Sequence, residues 1–433
     1  MTGQDRKKFV MRNSMAFAGA VATIGLVAAG CASAAKAPVA QQTSSVTAKS
    51  SDPATPTPAT PASATPAAAT GAEAALSAVP WSKVGPGWIL AEWSPVTPHR
   101  PGETQAPDAP TDENSPTTVY LVDPAGNRFS ITTFTPGSNL GLVDWSGDGS
   151  HALFAPKFVA PTSAVSVDLH TGEKMTVSVT GYARYSRPSG KALLVSTLAY
   201  GDKPGALKRV DLKGDPQFTY PTDDLGGAGQ FSGRWAESPD GTQLMLGADK
   251  GLVVMGNDGT VIRTLPAPMV NAMCGPVKWW TPGSVLVHCT APNSSANQLW
   301  EVPLEGSTPT MITAENSGQG DDPGFGGDLG DVDAWKLPGG TFLQSSGACG
   351  TAFLSKLTPD GHTTRVKIPG MSDDVIVAGT ADDRLLVRGQ VGCGPTNSLV
   401  SYDPTANTAT VLLGPPVNGG GVSQAMLYPS KEQ

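Results

Sequence analysis

The sequence predicts an all-β fold built from seven four-stranded antiparallel units, and three observations predict it. A pattern of strand, tight turn and strand recurs down the chain. A second, looser strand pair precedes each copy. No stretch with sustained helical apolar periodicity interrupts them.

The regular half of the unit reads VYLVDPAGNRFSITTF, LVVMGNDGTVIRTL or LVSYDPTANTATVLL, among others. In each copy the turn ends in a residue that tolerates positive φ: Gly126, Gly172, Gly214, Gly259, Gly306, Gly361 and finally Asn407. Successive separations are 46, 42, 45, 47, 55 and 46 residues. The looser half opens on an aromatic residue and a polar turn, as in DWSGDGSHALFAP, YSRPSGKALLVSTL, WAESPDGTQLMLGA, WWTPGSVLVHCT and AWKLPGGTFLQSS. The seventh copy, VAGTADDRLLVRGQ, has neither the aromatic nor the proline.

Four short strands at this period are the signature of a β-propeller, each unit a blade packed face to face with its neighbours. An open solenoid is the structural rival, but a ring needs no special capping units. Closure can be read from the two ends. GWILAEWSP, starting at Gly87, fits the second strand of blade one and has no first strand before it. GVSQAMLYP, Gly421 to Pro429, follows the seventh unit as a spare. The C-terminal strand is therefore expected to complete blade one, with Ala425 to Tyr428 beside Trp88 to Trp93.

Ahead of the propeller, residues 1–30 read as a lipoprotein signal peptide. Arg6, Lys7, Lys8 and Arg12 precede a small-residue apolar run that ends in LVAAGC, which makes Cys31 the lipidated mature N-terminus. Residues 31–79 are rich in Ala, Pro, Thr and Ser and cannot bury enough surface to offset the entropy of ordering, so they read as a disordered tether. The propeller is expected over 80–433. These features place the protein on the outer face of the cytoplasmic membrane, lipid-anchored and facing the cell wall. The net charge is −8, and removing the leader, whose four cations face only Asp5, makes it more negative still. That balance argues against nucleic acid, and against direct contact with an anionic bilayer except through the lipid anchor.

Four cysteines follow Cys31, and an even number in an exported domain suggests two disulfides. Cys274 lies seven residues before Thr281 and Cys289 seven after Pro282, so antiparallel pairing about that turn sets them opposite each other. Cys349 and Cys393 occupy equivalent loops of consecutive blades and are the second expected pair.

Ser238-Pro239-Asp240-Gly241, before a buried strand, together with the turns opened by Val122-Asp123, Val167-Asp168 and Val210-Asp211, resembles the TolB-like, WD-repeat-like propellers. With the leader and tether, the pattern is similar to exported actinobacterial lipoproteins of that kind. The resemblance runs from about Trp81 to the C-terminus. It implies the propeller fold and, by analogy, a partner-binding role in the envelope.

Catalytic motifs are absent: there is no Gly-x-Ser-x-Gly elbow, no His-Glu-x-x-His and no Walker loop. The five histidines are scattered over four units. The long 55-residue spacing contains GQGDDPGFGGDLGDVDAW, whose Asp321, Asp322, Asp328, Asp331 and Asp333 form a solvated acidic loop or a calcium site. The insertion Pro95 to Pro116 reads as a mobile rim loop, with Arg100 its one obvious anion contact. Trp145, Trp235, Trp279, Trp280 and Trp335 recur at blade period and are expected to pack between blades.

The leading functional expectation is a monomeric, cofactor-free binding or scaffolding module for an envelope protein or glycan. The alternative is an exported hydrolase or lyase acting on a glycan or lactone through the acidic loop. Two of those aspartates within about 7 Å of each other in a pocket would favour the enzyme.

Overall fold

The computed structural model describes residues 66–97, 106–157, 161–200, 203–291, 296–315, 318, 328–347, 350–392 and 396–429. Residues 1–65 with Cys31, and Arg100, Asp321, Asp322, Cys349 and Cys393, lie outside them, as does the pairing expected of the last two. Among the described residues the chain is nearly all β, with three short 3-10 turns and no α-helix.

Strand groups follow one another in chain order, each an antiparallel meander. Group one joins the C-terminal Gly421–Leu427 to Ile89–Ser94, Thr117–Val122 and Arg128–Phe134. Group two opens on Leu140–Trp145, group three on Tyr182–Tyr185 and group four on Phe231–Glu237, each with three further strands. Groups five and six open on Met273–Thr281 and Asp328–Leu337, and one parallel bridge, Asn297 to Gly330, fuses them into an eight-stranded sheet. Group seven runs from Met371–Ala381 to Thr408–Leu413.

The turns are local chemistry. All seven turn residues singled out in the sequence have positive φ, from +50° at Asn407 to +97° at Gly214. The preceding aspartate fixes several of these turns: Asp123 Oδ1 accepts the backbone N–H of Ala125 and Asn127, and Asp211 Oδ1 those of Lys213 and Asp215. In the other hairpins a serine works with an aspartate. Ser238 donates its hydroxyl to Asp240 at 2.6 Å and accepts the Gln243 N–H at 2.9 Å, and Ser146 does the same with Asp148 and His151.

Each apolar cluster straddles two groups, which is why the middle strands read as continuous apolar runs rather than alternating ones. Leu194 and Leu207 of group three pack with Phe231 and Leu244 of group four, while Leu193 and Val195 face Leu153 and Val177 of group two. Ile89, Tyr120 and Leu427 of group one pack with Leu386, Leu399 and Leu412 of group seven, and Leu90 and Phe129 pack with Trp145 and Phe154 of group two.

The expected end-to-end pairing is present: Ile89 is opposite Leu427, Ala91 opposite Ala425, and the Tyr428 N–H bonds the Trp88 carbonyl at 2.8 Å. Cys274 and Cys289 are directly paired in register and form a disulfide.

The tether boundary needs correction. Ala67–Ala68 adds in parallel to Thr408–Leu413, and Glu73–Ala75 to Arg128–Phe134, so ordered chain starts well before residue 79. The outer strands offer unpaired edge groups, and a small-residue segment can lie against them. Gly71 passes so close to the Gly126 turn that a Cβ would come within 2.1 Å of its carbonyl carbon. Glu73 then accepts from Tyr120 Oη at 3.0 Å and pairs with Arg128 at 3.3 Å. Composition hid these contacts, because a two- or three-residue edge strand needs no apolar side chains.

Candidate ligand cavity between the first strands

The first strands of the groups converge. Two adjoining cavities of about 520 and 380 Å³ lie where they meet, and both are lined by Tyr182 and Arg184. Gln424 of the C-terminal strand and Leu142 line the larger, while Arg234, Gly275 and Val332 line the smaller. The strands of six groups thus contribute to one concave surface.

Strand periodicity explains the lining. In Tyr182–Tyr185, exposed and buried residues alternate, so Tyr182 and Arg184 share the cavity side while Ala183 and Tyr185 enter the core. The Arg184 guanidinium lies 6.0 Å from the Trp235 ring centre. Arg234 crosses Gly275, where a Cβ would come within 2.6 Å of its Cδ. Glycine there makes room for the arginine.

Among the described residues, three cations and one histidine line these cavities, and no carboxylate does. Lys157 is already paired, with buried Glu92 at 3.1 Å. Arg184 and Arg234 have no ion-pair partner among the described residues. His288 bonds Asn297 at 2.8 Å, and its pKa is held below the usual histidine value, first by burial and also by Arg234. Two guanidiniums lining one cavity in an acidic chain are a concentrated positive field.

The aspartates singled out in the sequence behave differently. Asp331 and Asp333 lie inside Asp328–Leu337 rather than on a loop, because the strand begins earlier than the glycine-rich spacing suggests. Asp331 is fully buried and accepts the Ser345 hydroxyl at 2.6 Å. Asp333 pairs with Lys278 at 2.8 Å, and that ammonium sits 4.3 Å from the Trp335 ring centre. Of Asp328 only the backbone is described. Among the described residues no group of three or more His, Cys, Asp or Glu is placed to hold a metal ion. The described part of the insertion, 106–116, is tied down by the Gly137 N–H to the Asp112 carbonyl at 3.1 Å.

The tryptophans divide. Trp145 is fully buried, its ring 5.1 Å from that of Tyr428, as inter-group packing requires. Trp235 packs against the cluster shared by groups three and four and also lines the smaller cavity, and Trp279 and Trp280 pack against the clusters on either side of group five. Trp279 and Trp280, with Pro239, Pro282 and Lys336, border a separate cleft of about 610 Å³.

One buried carboxyl matters for stability. Glu237 accepts the Arg187 N–H at 2.9 Å through one oxygen, while the other has no hydrogen-bond partner among the described residues. Burial pushes its pKa from 4.5 up to about 7, against the pull of Arg187 and Arg209. Because the folded value is raised, the stabilisation is complete below pH 4.5 and is lost as pH rises through 7. Glu237→Gln is expected to flatten the melting temperature between pH 4.5 and 7 and to raise stability above pH 7. The displacement corresponds to roughly 3 kcal/mol. Thermal melts across this range check it; an unchanged slope in the variant would place the dependence elsewhere.

No family model matches the chain, and no curated protein matches it either. Solved structures do. The β-propeller domain of the trilobed protease from Pyrococcus furiosus is similar at 11% identity, with 77% of this chain and 94% of that chain covered and a TM-score of 0.47. A prolyl endopeptidase structure is similar at 13% identity and TM-score 0.46, over 74% of this chain, which spans 49% of that chain's length. Oligogalacturonate lyase from Vibrio parahaemolyticus is similar at 15% identity and TM-score 0.43, covering 76% of this chain and 86% of that chain.

Proposed function

We propose that the chain is a lipid-anchored, extracytoplasmic binding module: a leader over 1–30, lipidated Cys31, a tether, and a seven-bladed TolB-like propeller sealed by its C-terminal strand. Counting the fused eight-stranded sheet as two blades gives seven, and the pairing of Gly421–Leu427 with Ile89–Ser94 supports closure. The observation that carries the binding role is the open cavity of the converging strands, which among the described residues offers two cations without an ion-pair partner and no carboxylate. Acid–base hydrolysis or elimination on a sugar or lactone would ask for a titratable pair beside the substrate. Of the aspartates considered for that work, the two with described side chains are engaged by Ser345 and Lys278. A binding surface needs only complementary charge and shape.

Detergent-phase partition of the full-length exported protein against its Cys31→Ala variant tests the anchoring. The parent is expected in the detergent phase and the variant in the aqueous phase. A variant that stays in detergent would overturn lipid anchoring at Cys31. Turnover of glycan or lactone substrates by the purified protein would overturn the binding role.

A further inference from the structure

We infer that the smaller cavity is a binding site for a small amphiphilic anion, a carboxylate or phosphate carried on an apolar body, held by Arg184 and Arg234. The inference rests on the binding-module reading and names the ligand chemistry for the same site.

Three features of the cavity converge on that chemistry. The first is charge. Arginine is rarely left without an acceptor in a concave site, since its planar guanidinium is built for bidentate contact with carboxylate or phosphate. Both arginines line the same 380 Å³ space, and among the described residues no carboxylate lines it with them and neither has an ion-pair partner. The neighbouring cation, Lys157, has Glu92, so the shortage of acids is local to the arginine pair.

The second is exposed apolar surface in the same wall. Tyr182 is 51% and Leu198 52% exposed, and both line this cavity beside the arginines. They are two of nine large apolar side chains left exposed among the described residues, and apolar surface next to unpaired charge suits a ligand with both characters. A simple inorganic ion would satisfy the guanidiniums and leave Tyr182 and Leu198 wet.

The third is preorganisation. Arg184 is steadied near Trp235, and Arg234 is laid over Gly275, a position where any larger residue would collide with it. Leu198 is set by Gly233, whose φ of +94° lets the strand pass within 2.6 Å of the Leu198 Cα measured from an added Cβ. A cavity of this volume takes a molecule of one ring or a short chain, which excludes an extended polymer as the species seated in it.

Calorimetry on the exported full-length protein with phenyl phosphate, benzoate, inorganic phosphate and phenol tests the inference. Phenyl phosphate or benzoate is expected to bind at least tenfold more tightly than inorganic phosphate and than phenol. The preference between the first two separates a phosphate site from a carboxylate site. Arg184→Gln and Arg234→Gln are each expected to weaken that binding about tenfold, and the double variant more, with melting temperatures within a few degrees of the parent, because neither guanidinium has an ion-pair partner among the described residues and the Arg184 contact with the Trp235 ring is long, at 6.0 Å. Gly275→Ala, which displaces Arg234 without removing charge, is expected to weaken binding as well. Equal affinity for phenol and the anions, binding that survives the double variant, or no binding of any probe would overturn the inference. Retention of an envelope partner by the double variant would then show that the binding-module reading stands without it.

Discussion

A chain ending at Gly420 is expected not to fold. The missing segment supplies the whole of Gly421–Leu427, the strand hydrogen-bonded along Ile89–Ser94. Without it the Ile89–Ser94 edge is open. Val422 and Leu427, both buried, leave the cluster shared by groups one and seven, and the Tyr428 ring leaves Trp145. Glu92, fully buried, loses the Ser423 hydroxyl that donates to it at 2.8 Å while keeping Lys157 and the Leu142 N–H. Removing buried Val422 and Leu427 together with the half-buried Ala425, Met426 and Tyr428 forfeits roughly 5 kcal/mol or more of burial, comparable with the whole stability of an ordinary domain. Circular dichroism and thermal melting of the truncated chain check this, with loss of the cooperative transition as the expected result. A truncated chain that melts within a few degrees of the parent would show that the last strand is an accessory edge rather than a seal.

The features most legible in the sequence were those a single residue type must satisfy. Positive φ at a hairpin turn selects Gly or Asn, so Gly126 through Asn407 marked the period without any knowledge of packing. The Cys274 and Cys289 register followed from counting outward from one turn. The cavity was not legible, because Tyr182, Arg184, Arg234 and His288 come from three separate strands whose alternation looks like that of any half-exposed strand. The treatment of aromatics as a uniform repeat also failed at one place. Ser146, Ser186 and Ser238 hold equivalent turn positions, each donating its N–H across the hairpin to the residue after the turn. Trp145 and Tyr185 directly precede the first two, but Glu237 precedes the third. A carboxyl thus occupies an aromatic's place in the core, and Trp235 is displaced two residues back toward the cavity. The offset was visible in WAESPDG beside DWSGDG, but only alignment on the turn serine, rather than on the aromatic, exposes it.

That displacement belongs to a wider device: buried polar side chains on the first or second strand of one group stitch it to the first strand of the next. Glu92 accepts the Leu142 N–H, Asp144 the Tyr185 N–H at 2.7 Å, and Gln344 bridges the Val375 carbonyl and the Val377 N–H. Neighbouring first strands do not share a hydrogen-bond ladder, so backbone groups facing the gap need side-chain partners. Asp144 is the test position, since it is 4% exposed and also pairs with Arg187 at 2.8 Å, whose other nitrogen bonds the Trp145 carbonyl. Asp144→Ala leaves the Tyr185 N–H without its acceptor and the Arg187 guanidinium with only the Trp145 carbonyl. Stripping one partner from a buried pair costs about 3–5 kcal/mol, and the partial exposure of Arg187 puts the expectation at the lower end. Asp144→Asn keeps an oxygen for Tyr185 and loses only the charge, so about half that loss is expected. Denaturant unfolding of both variants, combined with Arg187→Met in a double-mutant cycle, measures the coupling. If Asp144→Ala and Asp144→Asn destabilise equally, the contribution is the ion pair alone and the strand-to-strand stitch adds nothing. If Arg187→Met leaves the Asp144→Ala loss unchanged, the backbone N–H carries it.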